Sequence, residues 1–74
     1  MRNYYQAQLD EINKKLLDMA LLLENAIENS ISALKENNPK FLEIGNDYEM
    51  QINGMEKDIE SLCLNVILRQ QPVL

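Results

Sequence analysis

A chain of 74 residues makes at most one small domain, because at this size only about 60% of the unfolded surface is buried and the net gain is a few kcal/mol. Its composition is 46% hydrophobic with two Gly and two Pro, which excludes disorder and favours helix; the lack of any His removes imidazole bases, Ser-His-Asp relays and His metal ligation, and the single Cys63 leaves no intrachain disulfide or thiolate metal site. Net charge is −5, which repels nucleic-acid phosphate and anionic lipid as primary partners.

The first residues, Met1-Arg2-Asn3-Tyr4-Tyr5-Gln6, have neither the apolar core nor the small-residue cleavage site of a secretory signal. The longest apolar run, Met19 to Leu23, is far short of the roughly 20 residues that span a bilayer. The expected compartment is the cytoplasm. From about Tyr4 to Asn37, Tyr5, Leu9, Ile12, Leu16, Met19, Leu23, Ala26 and Ala33 recur at steps of four and three, with Ser30 in the gap. That is a heptad seam and predicts helix 1 over 4–37. A second stripe, Leu17, Ala20, Ile27, Ile31 and Leu34, runs beside it and is interrupted by Glu24. One partner helix cannot cover so wide an arc.

Glu36-Asn37-Asn38-Pro39 is the only strong punctuation: Asn caps a helix start and Pro fits a first turn. Helix 2 follows over about 39–70, with Phe41, Ile44, Tyr48, Ile52, Met55, Ile59, Leu62 and Val66 on one face and Cys63 and Ile67 widening it. Between Tyr48 and Met55 the alternation slips once, a stutter that locally unwinds a supercoil. Gly45 and Gly54 flank the slip, so local weakness or close packing is expected there. The fold class is all-α, a long antiparallel two-helix hairpin over 1–74. Two rods of about 45 to 50 Å need further cover, which a second copy is expected to supply as a dimeric four-helix bundle with helices crossing near 20°.

Glu49, Asn53, Glu56 and Glu60 follow one another at steps of four, three and four, placing three carboxylates along one side of helix 2. A solvated face is the ordinary meaning of such a row; a metal site is the sharper one. Glu24 and Glu28 are also four apart, and a rim position or inter-chain contact outweighs ligation for them. Met19, Met50, Met55, Tyr4, Tyr5 and Tyr48 are expected to fill the bundle core. Cys63 has no neighbouring base to lower its pKa and is expected to be buried and inert. Arg69 fits either a partner contact or a favourable cation at a helix C-terminus.

The opening Met1-Arg2-Asn3-Tyr4-Tyr5, then Leu9-Asp10-Glu11-Ile12-Asn13 and Leu16-Leu17-Asp18-Met19, resembles the start of the PhoU family of phosphate-transport regulators. Ile52-Asn53-Gly54-Met55-Glu56, Ile59-Glu60 and Arg69-Gln70-Gln71-Pro72-Val73 are similar to that family's second helix and the turn after it. The resemblance implies the N-terminal part of a three-helix bundle repeat, with Pro72 leading into a third helix that a chain ending at Leu74 would lack. It also implies a cytoplasmic regulator, not an enzyme, that works by contact with a phosphate ABC transporter and a sensor histidine kinase. An acidic motif of this family binds iron or another divalent metal in full-length members; here it falls on Glu49 and Asn53, where Asn replaces the second carboxylate and weakens a hard-cation site. The competing expectations are a free-standing helical oligomerisation module with no phosphate role and a carboxylate-based metal catalyst, which would need three convergent oxygens and an open position.

Overall fold

The computed structural model describes residues 3–70, so the expected turn at Gln71-Pro72 lies outside the described residues. It contains two helices, α1 (Tyr4–Lys35) and α2 (Phe41–Gln70), which form an antiparallel hairpin about 55 Å long and 22 by 16 Å in cross-section. α1 begins where expected because Asn3 is its N-cap: the Asn3 Oδ1 accepts a 2.8 Å hydrogen bond from the Gln6 amide, satisfying one of the helix's orphan donors.

α1 ends two residues earlier than the heptads predict, and the reason is Asn37. Its φ is +53°, a left-handed conformation that Asn tolerates better than most residues. That reversal lets the Asn37 amide donate to the Leu34 carbonyl at 3.2 Å and the Asn38 amide to the Ala33 carbonyl at 2.9 Å, closing the helix. Asn38 then takes over the start of the second element: its Oδ1 accepts from the Lys40 amide at 2.9 Å, and its carbonyl accepts from the Phe41 amide at 3.0 Å. Pro39 therefore precedes α2 instead of forming its first turn. Replacing Asn37 with Val, which resists positive φ, is expected to cost roughly 1–2 kcal/mol, read as a lower thermal midpoint; an unchanged midpoint would contradict this cap.

The contact between the helices is narrow. Ile12, Ala26 and Ala33 are buried on α1, with Met19 and Leu22 half-buried between them. Opposite them Phe41, Ile44, Tyr48, Ile52, Met55, Ile59, Leu62 and Val66 are half-buried on α2, the row expected from the sequence. On α1 the phase differs from expectation. Leu9, Leu16 and Leu23 remain exposed because α2 leans on the Leu22 side of the Ile12–Met19–Ala26–Ala33 line. The small side chains at Ala26 and Ala33 let the two backbones approach, and that contact decides where α2 lies.

Two ties reinforce this seam. Asn29 Nδ2 donates to the Tyr48 hydroxyl across the helices. At the open end the Arg69 guanidinium lies 5.0 Å from the centre of the Tyr4 ring, a cation–π contact worth about 0.5–1 kcal/mol at an exposed site. Arg69 thus joins the end of α2 to the start of α1. Tyr4, Tyr5 and Met50 are exposed, so these three do not fill the core as expected, while Met19, Met55 and Tyr48 are half-buried in the seam. Met50 faces away from α1, two residues from both Tyr48 and Ile52.

Neither glycine of α2 makes a close approach within the hairpin: a Cβ added at Gly45 or Gly54 would meet nothing within 4 Å. Local weakness is then the remaining consequence. Gly54 is exposed and helical, so Gly54→Ala is expected to stabilise the chain by roughly 0.5–1 kcal/mol. Urea denaturation with an unchanged slope and a higher midpoint is the result that agrees; a lower midpoint would show that Gly54 answers a contact outside the hairpin.

Candidate docking site

The narrow seam divides the hairpin into two unlike broad faces. One is polar. Near the turn it holds a cleft of about 610 Å³ lined by Asn25, Asn29, Ser32, Glu36, Asp47 and Gln51 among others. Further along, Glu11, Lys15, Asp58, Ser61 and Asn65 continue it. Side chains of this kind are stable in water, and the face needs no cover.

The other face is apolar on the α1 side. Leu16, Leu17, Leu23, Ile27, Ile31 and Leu34 are all exposed there. Two adjacent residues show how sharp the division is: Ala33 in the seam keeps 4% of its surface exposed, and Leu34 keeps 62%. The arc that one helix could not cover is thus left open by α2. Against it lies a groove of about 350 Å³, lined by Ala26, Ile27 and Ser30 from α1 and by Gly45, Tyr48, Glu49, Ile52 and Asn53 from α2. The missing Cβ of Gly45 opens this groove, and nothing in the hairpin fills it.

Glu49 and Asn53, the pair singled out for metal, stand together on the α2 border of the groove and are exposed. Glu56 and Glu60 are exposed as well and extend that border by helical periodicity. Glu24 and Glu28 are exposed on α1 and do not share the groove's lining. Among the described residues no group of three or more His, Cys, Asp or Glu side chains is placed to hold a metal ion. A carboxylate and an amide carbonyl one turn apart match two of the six or more oxygens that a hard cation such as Ca²⁺ or Mg²⁺ takes, so Glu49 and Asn53 fit part of a shell only. Cys63 is free and half-buried, less enclosed than expected. The split into a polar and an apolar face was missed in the sequence, although Asn25, Asn29, Ser32 and Glu36 recur at steps of four, three and four and carry that signal.

The surface area points the same way. The chain exposes 6184 Å², about 1,500 Å² more than the ~4,700 Å² that surface scaling gives for a compact monomer of this mass. The excess exceeds the roughly 800 Å² per partner of a standard protein interface and lies in the range of obligate ones. No helix among the described residues is long and apolar enough to cross a membrane, so the open face is not part of a membrane span.

Comparison with known proteins places this hairpin. The family model described as the PhoU domain matches residues 16–74. The chain is 31% identical over 68 residues to the phosphate-specific transport system accessory protein PhoU homolog of Pseudomonas putida, covering 92% of this chain and 27% of that protein. It is 27% identical over 73 residues to the protein of the same name from Clostridium acetobutylicum, covering 99% of this chain and 33% of the relative. The chain therefore spans about a quarter to a third of the length of these curated relatives. No solved structure matches it. A heptad-rich hairpin alone could arise in many families, but a match over most of the chain does not, and the chain belongs to the PhoU domain family.

Proposed function

We propose that this chain serves as a PhoU-like regulator of phosphate uptake and phosphate-starvation signalling, acting in the cytoplasm by protein–protein contact with a phosphate ABC transporter and a sensor histidine kinase, and not by catalysis. The family match and the relatives' names as phosphate-transport accessory proteins support the phosphate role. The observation that carries the mode of action is the open apolar face of α1, because exposed apolar surface on this scale marks an interaction site. In the chain by itself a second copy covers that face, completing a four-helix bundle of the kind in which helices cross near 20°. Within this reading Glu49 and Asn53 offer a cation two oxygens, and the rest of an iron or other divalent metal shell comes from outside these two helices.

The test joins binding to phenotype. Purified chain is mixed with the purified cytoplasmic portions of a phosphate transporter and its sensor kinase, and the same chain is expressed in a bacterium deleted for its own PhoU, with a phosphate-starvation promoter as reporter. Binding to either portion, with repression of the reporter in high phosphate, is the expected outcome. Self-association with no binding and no repression would instead favour a free-standing oligomerisation module without a phosphate role, which the same open face would also serve.

A further inference from the structure

We propose that the apolar face of α1 and its acidic border form a docking surface for an amphipathic helix of a partner protein that carries Lys or Arg along the flank of its apolar stripe. This rests on the reading of that face as a contact surface, and it names the chemistry of the occupant that displaces the second copy.

The floor of the surface runs from Leu16 through Leu23 and Ile27 to Leu34, about 27 Å at 1.5 Å per residue, which suits a helix of some 18 residues. Its α2 border is Glu49, Asn53, Glu56 and Glu60, one row of the helix with no basic residue in it. Among the described residues Glu49, Glu56 and Glu60 have no ion pair. They are exposed carboxylates beside a surface that loses water when covered, and a desolvated border strengthens an opposite charge placed on it. Lys57, the nearest base in sequence, lies outside this row.

A second copy matches the floor but not the border. It sets a net charge of −5 against another −5, which opposes association at low ionic strength. A helix with apolar residues at i, i+3, i+4 and i+7 and bases on one flank meets both parts, the arrangement by which grooves take amphipathic helices. The groove at Ala26, Ser30 and Gly45 offers space for one large apolar side chain of such a helix.

Two synthetic 18-residue helical peptides with the same leucine stripe, one flanked by lysines and one by glutamates, provide the probe. Each is titrated with the intact chain by fluorescence anisotropy in low and in high salt, while sedimentation follows the state of the chain. The lysine peptide is expected to bind at least tenfold more tightly at low salt, with the advantage shrinking as salt rises. The triple variant Glu49→Lys/Glu56→Lys/Glu60→Lys is expected to invert the preference. An equal charge change on the polar face, Glu11→Lys/Asp47→Lys/Asp58→Lys, is expected to keep it. Equal binding of both peptides, or equal loss of preference in both triple variants, would overturn the proposal. So would absence of peptide binding by a chain that remains dimeric, which leaves the second copy as occupant; absence of binding by a monomer would remove both readings.

Discussion

Replacing Ala33 with Asp is expected to abolish cooperative folding. Ala33 is the most enclosed of the three buried side chains, and it sits one turn from the end of α1, where its carbonyl also accepts the capping bond from Asn38. A carboxylate there has no cation opposite it: the facing residues on α2 are Phe41, Ile44 and Tyr48. Burying an unpaired charge costs about 3 kcal/mol or more, comparable to the entire net stability of a chain this size. The expected thermal scan shows weak helicity and no sigmoidal transition. A normal transition would mean that α2 does not pack on Ala33 and that the seam lies elsewhere.

The contrasting substitution moves one residue along. Ile27→Asp/Leu34→Asp changes two exposed side chains on the open face and touches nothing in the seam. Full burial of an Ile or Leu contributes about 1.5–3 kcal/mol, so losing two from an inter-chain contact weakens association by ~100-fold or more. Sedimentation equilibrium is expected to show this shift to smaller species. Met50→Asp, equally exposed but on the far side of α2, is expected to leave association unchanged. If Met50→Asp dissociated the chain as strongly, the interface would lie on the back of α2 and not on the apolar arc.

These two substitutions also show how far the fold can be read from residue order. The Ile12–Met19–Ala26–Ala33 line is legible because each member recurs at seven, and the row from Phe41 to Val66 because its spacing leaves one apolar face. The side of α1 on which α2 leans is not legible. Leu21, Leu22 and Leu23 are consecutive, so a heptad can be completed through Leu22 or Leu23, and packing of the alanines against α2 makes the choice. The width of the second stripe, by contrast, correctly anticipated that Leu17, Ile27, Ile31 and Leu34 would be left uncovered.

The helix ends followed the same pattern. Asn-Asn-Pro announced a break, but Asn also starts helices, and only the left-handed backbone of Asn37 shows that the first Asn closes α1 and the second opens the way to α2. Arg69 had two readings and took a third, over the Tyr4 ring, because an antiparallel hairpin brings its first and last turns together. For the candidate site, Glu49 and Asn53 were identifiable as a pair by spacing, whereas their position beside an apolar groove depends on the glycine opposite Ala26 and Ser30. That is a property of two helices together, which periodicity within either one does not contain.

The central claim is that the uncovered arc of α1 requires another chain. Sedimentation equilibrium of residues 1–74 across micromolar concentrations, paired with thermal unfolding at each concentration, tests it directly. The account predicts a dimer whose midpoint rises with protein concentration, as mass action requires when folding and association are coupled. A folded monomer with a sharp, concentration-independent midpoint would contradict it.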